Sequence, residues 1–250
     1  VSETPAFRLL SPMSLAMMVS TLIAALAFTY VKTRDETRSI EVTGSAKRRI
    51  TSDLIEWTAE IHTTDKDRVA GVRLLKEHVE KTRAWLKAQG VPDNEIRVSS
   101  ASADERFETQ YEGSGENRIE RAVSAGWRST QSITVRSVDV ARVERVSREV
   151  TTLLEQGVEL SSLPPSYFYT KLADLKIEML AEASKDARTR ADQILAAAGG
   201  GHIGRLLRAD MGVINVNPAN STETSWQGNN DTTSLEKDIL TIVHVTFELP

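Results

Sequence analysis

Apolar residues recur along this chain with three different periods, and each period predicts a different kind of element. From Leu9 to Val31 they are nearly continuous, with no charged side chain in 23 residues. From Ile40 the period falls to two. Ile40 and Val42 precede Gly44, and Ile55, Trp57, Ala59 and Ile61 then share one face of a strand. The "GSAKRR" stretch between them, residues 44–49, reads as a strand end and turn. Residues 65–89 switch to helical spacing, with Val72, Leu75, Val79 and Leu86 in one stripe, Gly90 as a stop and Pro92 beyond it.

Residues 96–111 and 119–138 read as a long hairpin with its loop at 112–117. In the second arm Val123, Ala125, Trp127, Ile133 and Val135 point one way. A second helix is predicted over 139–156, with Val140, Val143, Val146, Val150 and Leu153 inward. It ends in "EQGV", an echo of the "AQGV" that ends the first, so helix, glycine stop and strand occur twice, as in a duplicated βαβ element. Pro164 and Pro165 mark an edge or the entry to the next strand. A third helix spans 171–198, with Leu172, Leu175, Met179, Ala183, Ala187, Ile194 and Ala198 as its stripe. After it come a strand at 203–214, a polar loop at 215–234, and a closing strand with Ile239, Thr241, Val243, Val245, Phe247 and Leu249 on one face. The loop is longer than compact domains need, which marks it as functional or mobile.

The uncharged run meets the length for a membrane span, since a helix needs about 20 apolar residues to cross the hydrocarbon core. Its anchoring side chains would be Met13, Leu15, Met17, Met18, Val19, Leu22, Ile23, Leu26, Phe28 and Val31. A signal peptide is the competing reading, because "ALA" at residues 25–27 permits cleavage between Ala27 and Phe28; a buried core helix is a third. The retained anchor is expected. The organisation is then a cytoplasmic N-terminus at 1–8, an anchor at 9–31, a polar tether at 32–39 and a domain at 40–250. Arg8 precedes the span, and Lys32, Arg34 and Arg38 follow it, so charge counting alone leans towards a cytoplasmic domain.

Composition narrows the chemistry. With a formal net charge of −4 and aromatics at 5%, the chain lacks the basic, aromatic-interleaved surface of a nucleic-acid binder. No cysteine is present, which removes disulfides, thiolate catalysis and cysteine-ligated metals. "GGGHIG" at 199–204 fits the dinucleotide spacing but follows a helix, where carbonyls rather than N–H groups face a phosphate, so it reads as a helix stop. His62, His78, His202 and His244 are scattered. Only His62 and His244, if their strands are neighbours, would offer a metal pair. Ser166 lacks a nucleophile setting, Asp104, Glu105 and Glu108 read as a solvated strand face, and the "NST" and "NDT" sequons at Asn220 and Asn230 read as chance. No catalytic residue, cofactor or metal ligand is expected. The amphipathic strand 126–137 could serve as an edge or subunit contact, through Trp127, Arg128, Ile133, Val135 and Arg136, as easily as an interior strand.

Three phrases in order resemble the SIMPL domain family: "IEVTGSAKRRITSDLIEWTAEI" (40–61), "LKAQGVPDNEIRVSS" (86–100) and "AEASKDARTRADQILAAAGGGHIGRLLRAD" (181–210). The resemblance implies an α+β fold with three helices packed on antiparallel-rich sheets. It also implies a bacterial envelope location with the domain on the periplasmic side, no enzymatic activity, and homo-oligomers, ring-like in some members. Against the charge count, it implies export. The expected protein is therefore a single-pass inner-membrane scaffold or envelope and oxidative-stress maintenance factor, or a periplasmic protein if cut at Ala27. A ligand-binding protein or enzyme with a pocket under the 215–234 loop, or an accessory subunit of a membrane complex, are the other readings.

Overall fold

A computed structural model describes residues 12–34, 38–113 and 118–249, without the side chains of 12–15, 29 and 31–34. The expected N-terminus at 1–8 and most of the expected hairpin loop lie outside the described residues. Two compact units make up the chain, one comprising Val1–Gly44, Ala183–Met211 and Val243–Pro250, the other Ser45–Glu182 and Gly212–Ile242. Four α-helices and antiparallel sheets give an α+β fold.

The larger unit holds a six-stranded sheet. Its elements are β2 (Leu54–Asp65), α2 (Arg68–Ala88), β3 (Ile96–Val98), β4 (Ser102–Glu112), β5 (Ile119–Ser137), α3 (Val140–Glu149), β6 (Leu160–Ser162) and β7 (Ser166–Phe168). The order β3-β5-β2-β6 carries the duplication predicted from the repeated "QGV". β5 is antiparallel to both β2 and β3, so β2 and β3, joined through α2, run parallel with β5 between them. β6 is antiparallel to β2, so β5 and β6, joined through α3, run parallel with β2 between them. Two split βαβ units interleave, the β-α-β-β-α-β arrangement.

The echo has a physical basis at the helix ends. Gly90 N–H donates to Lys87 O and Val91 N–H to Leu86 O; Gly157 N–H donates to Leu154 O and Val158 N–H to Leu153 O, all at 3.0 Å. Both are Schellman stops with the glycine left-handed (φ 84° and 78°), and the flanking Leu86–Val91 and Leu153–Val158 pairs are buried. The second stop follows not α3 itself but a 3-10 segment, Val150–Gln156, that prolongs it.

α2 starts three residues later than the spacing predicts, because Asp65 stays in β2 opposite Trp127 and Asp67 caps the helix. The Asp67 carboxylate accepts from the N–H groups of Val69 and Ala70 at 2.7 and 3.1 Å. Leu75, Val79 and Leu86 face inward as the spacing predicts. Val72 is exposed, and Gly71 and His78 take the buried positions beside them.

The core lies between the inner face of β2 and β5 and helices α2 and α3. Ile55, Trp57, Ala59, Ile61, Ile133 and Val135 meet Leu75, Leu86, Val143, Val146 and Leu153 there. Each such Leu or Ile contributes about 2 kcal/mol by leaving water. Trp57 Nε1–H donates to Ser162 Oγ at 2.9 Å, whose hydroxyl donates to Ser147 O at 2.7 Å, so the one polar atom of this buried ring is satisfied.

A second sheet orders β1 (Ser39–Thr51), β9 (Glu236–Glu248) and β8 (Leu206–Pro218), with β9 central. Arg38 O accepts from Leu249 N–H near one end, and Ser52 N–H donates to Leu235 O near the other, so β1 and β9 are antiparallel. The predicted turn at 44–49 is instead the middle of β1. Gly44 is there for proximity: a Cβ on it would stand 2.6 Å from the Ala187 Cβ of α4 (Leu172–Ala197). The buried face of α4 steps by four through Leu175, Met179, Ala183, Ala187 and Ala191, which leaves Ile194 and Ala198 exposed, contrary to the predicted stripe. At its end Gly199 is left-handed (φ 73°) and Gly200 N–H returns to Leu195 O at 2.8 Å, so "GGGHIG" is a helix stop.

β8 runs to Pro218, four residues beyond its predicted end, and the polar connection that follows is internally bonded. Asn215 Oδ1 accepts from the N–H groups of Ser225 and Asn229, Asn217 Nδ2 donates to Glu223 O, and Asn229 Nδ2 donates to Asn217 Oδ1. Lys237, on the opening of β9, sends Nζ inward to Asp231 O at 2.6 Å and Asp231 Oδ2 at 3.1 Å. Asn215 and Asn217 of β8 and Lys237 of β9 are all buried.

Candidate interaction surface

The N-terminal run forms α1 (Pro12–Arg34), and Lys32–Arg34 continue this helix rather than starting a tether. Met17, Met18, Val19, Leu22, Ile23, Leu26 and Phe28 are all at least half exposed and fall on every side of the helix. Nothing is described of the Met13, Leu15 and Val31 side chains. No helix is long and apolar enough to cross a membrane among the described residues.

Of the two placements open to strand 126–137, edge and interior, the structure shows the interior one. β5 lies between β2 on one side and β3 and β4 on the other. Ile133 and Val135 are fully buried in the protomer's own core, so these two expected subunit contacts are corrected: the alternation that made the strand amphipathic turns them under α2 and α3. Trp127 is half buried, with the Arg68 guanidinium 4.9 Å from its ring centre. Arg128 stands opposite Asp104 of β4, and Arg136 reaches Glu56 at 3.8 Å.

One free edge belongs to β4. β5 has 19 residues and β2 has 12, and β2 pairs only with Trp127–Ser137. Residues 119–124 of β5 therefore overhang and, among the described strands, pair with β4 alone. This two-stranded ribbon exposes Phe107, Tyr111 and Ile119, with the Arg118 guanidinium 3.6 Å from the Tyr111 ring centre. Asp104, Glu105 and Glu108 are exposed on it, as the sequence predicts, and Glu105 accepts from Ser124 Oγ at 2.7 Å. The residues that make this edge escaped the sequence reading, although one signal was present: the hairpin arms are longer than any strand available to pair with them.

A cleft of about 520 Å³ lies at the start of α4, lined among others by Arg48, Arg49, Tyr169, Lys171, Asp174 and Glu178. Its arginines are already engaged. Arg48 pairs with Glu178 and Glu182, and Arg49 binds Asp238 at 2.9 and 3.1 Å beside Lys47 at 3.0 Å. The hydrogen bonds from Arg49, against an opposing effect of burial, and those from Lys47 and the Asn220 N–H hold the Asp238 carboxyl well below the usual range. The arrangement is a charge-neutralised latch that fixes β1 to α4 and β9. His62 and His244 belong to different sheets. His62 Nε2 stands 3.6 Å from Glu159, and His244 Nδ1 is bonded to Thr43 Oγ1 at 3.1 Å, so they form no pair.

Among known proteins, the family model SIMPL, described as a protein of unknown function (DUF541), matches residues 40–247. The curated proteins hold no match.

Proposed function

This chain belongs to the SIMPL family, and on that premise we propose that it is a membrane-anchored, self-assembling envelope protein that acts as a scaffold rather than an enzyme. The observation that carries this reading is α1. A helix with apolar side chains on all faces and all of the described ones exposed requires a covering, which a bilayer supplies. The sequence supports full crossing length, since Leu9–Val31 is free of charge. In this reading the domain that follows lies on the periplasmic side and residues 1–8 on the cytoplasmic side. Envelope maintenance, including under oxidative stress, is the role proposed for the assembly.

Self-assembly is supported by the overhanging β4–β5 ribbon, because an isolated two-stranded ribbon with exposed aromatics is marginal in water. Native mass measurement of the full chain in detergent tests it. A defined homo-oligomer is expected. A monomer would overturn the scaffold reading, and stoichiometric co-purification of a second chain would favour an accessory subunit instead.

A further inference from the structure

We propose that β4 pairs with β4 of a second copy, antiparallel about a two-fold axis at Phe107, an inference that names the interface of the self-assembly proposed above. Among the described strands β4 is bonded on one side only, to β5. It has eleven residues, contains no proline, and is exposed throughout except for half-buried Ala103. Unpaired N–H and C=O groups along such an edge are a template for another strand.

The irregularity in the ribbon spares that edge. Register shifts between Arg106 and Phe107 because Ala125 is the extra residue, on β5, beside left-handed Gly126 (φ 96°). The bulge bends β5, and β4 keeps a regular outer rim.

The register follows from pleat and charge. A two-fold that pairs a strand with its own copy antiparallel stands perpendicular to the sheet and keeps each side chain on its own face. Only axes through a residue are then allowed, because directly opposite residues share a face. With the axis at Phe107, Phe107 meets its own copy, Arg106 faces Glu108 twice, Ala103 faces Tyr111 twice and Asp104 faces Gln110 twice. All eleven residues pair, and no carboxylate faces another. An axis at Arg106 sets that arginine against itself and Asp104 against Glu108. One at Glu108 sets Glu108 against itself and Asp104 against Glu112. Like charges directly opposite are destabilising. An axis at Glu105 opposes two glutamates. An axis at Thr109 keeps Arg106 opposite Glu112 but leaves the edge of Ser102–Glu105 unpaired.

The native chain has no cysteine, so single-cysteine variants read this geometry directly. Directly opposite residues have Cα atoms about 4.5–5.5 Å apart, within disulfide reach. Under mild oxidation of the full-length protein in detergent, Phe107→Cys is expected to form a covalent dimer at least about tenfold faster than Thr109→Cys, whose copies would be ~14 Å apart. Glu108→Arg, which sets arginine against arginine twice, is expected to shift the assembly towards smaller species in native mass spectra. Arg106→Glu combined with Glu108→Arg is expected to restore it. Cross-linking at Thr109 in place of Phe107 would overturn the register. An intact oligomer with no Phe107 cross-link and no response to Glu108→Arg would overturn this interface while leaving self-assembly standing. A monomeric wild type would overturn both.

Discussion

Replacing Asp231 with Asn tests whether the long loop between β8 and β9 is held by a buried charge pair. The side chains of Lys237 and Asp231 retain 2% and 8% of their exposure, with Nζ 3.1 Å from the carboxylate. Burial works against the charged carboxylate. The N–H and hydroxyl of Thr233, the Lys237 ammonium and the Ser234 hydroxyl outweigh it and hold the pKa at about 2, against an ordinary 3.8. That difference corresponds to roughly 2 kcal/mol of stability. The folded-state pKa is the lower one, so the stabilisation is complete above the unfolded value and is lost as pH falls from 3.8 towards 2. Asn preserves shape but strands a buried ammonium, so the total loss near neutrality is about 3 kcal/mol. Denaturant titration of both proteins in detergent, near pH 7 and near pH 2, measures it. Other carboxylates lose stability in both proteins and cancel in the difference. The gap between wild type and variant is expected to shrink by about 2 kcal/mol in acid. A gap below about 1 kcal/mol at neutrality, or one that does not change with pH, would refute the buried-pair account.

Further outcomes follow from single contacts. Gly44→Ala forces β1 away from Ala187 and is expected to cost about 1–3 kcal/mol by thermal or chemical denaturation, although alanine suits a strand better than glycine; an unchanged midpoint would restore the turn reading. Gly90→Ala and Gly157→Ala each place a side chain at positive φ with open space around it, so each is expected to cost about 1 kcal/mol and the two to match. Unequal losses would break the equivalence of the two helix stops. Tyr167, pushed up to about 12 by burial and by its 2.7 Å hydrogen bond to Glu144, is expected to be the last phenol to ionise in an ultraviolet pH titration. Tyr167→Phe is expected to remove that late step and about 1 kcal/mol of stability.

Much of the larger unit was legible because its pattern is binary. The β2 face from Ile55 to Ile61, the α3 stripe and the two glycine stops each follow from one period or one left-handed residue. The repeated "QGV" pointed to the duplication, since each stop returns the chain to the same sheet, but not to the interleaving of the two units. Gly44 misled because the spacing shows that a glycine is present but not whether a turn or a neighbouring helix requires it. The internal bonding of the long polar loop was not legible, because Asn215 and Asn217 accept hydrogen bonds from partners ten or more residues away and Lys237 is an inward-turned lysine that composition counts as surface. Ile133 and Val135 were placed on the correct face, but what lies against that face is a matter of strand order, which alternation does not encode. The division into two units is hidden for a related reason: β1, α4, β8 and β9 each pass from one unit into the other without interruption.

The claim on which the account rests is that α1 stays attached and holds the domain at a membrane. Alkaline carbonate extraction of membranes from expressing cells, followed by N-terminal sequencing of the mature chain, addresses it most directly. The account predicts a chain in the carbonate-resistant pellet with the 9–31 segment intact. A chain released to the supernatant, or one that begins at Phe28, would contradict it.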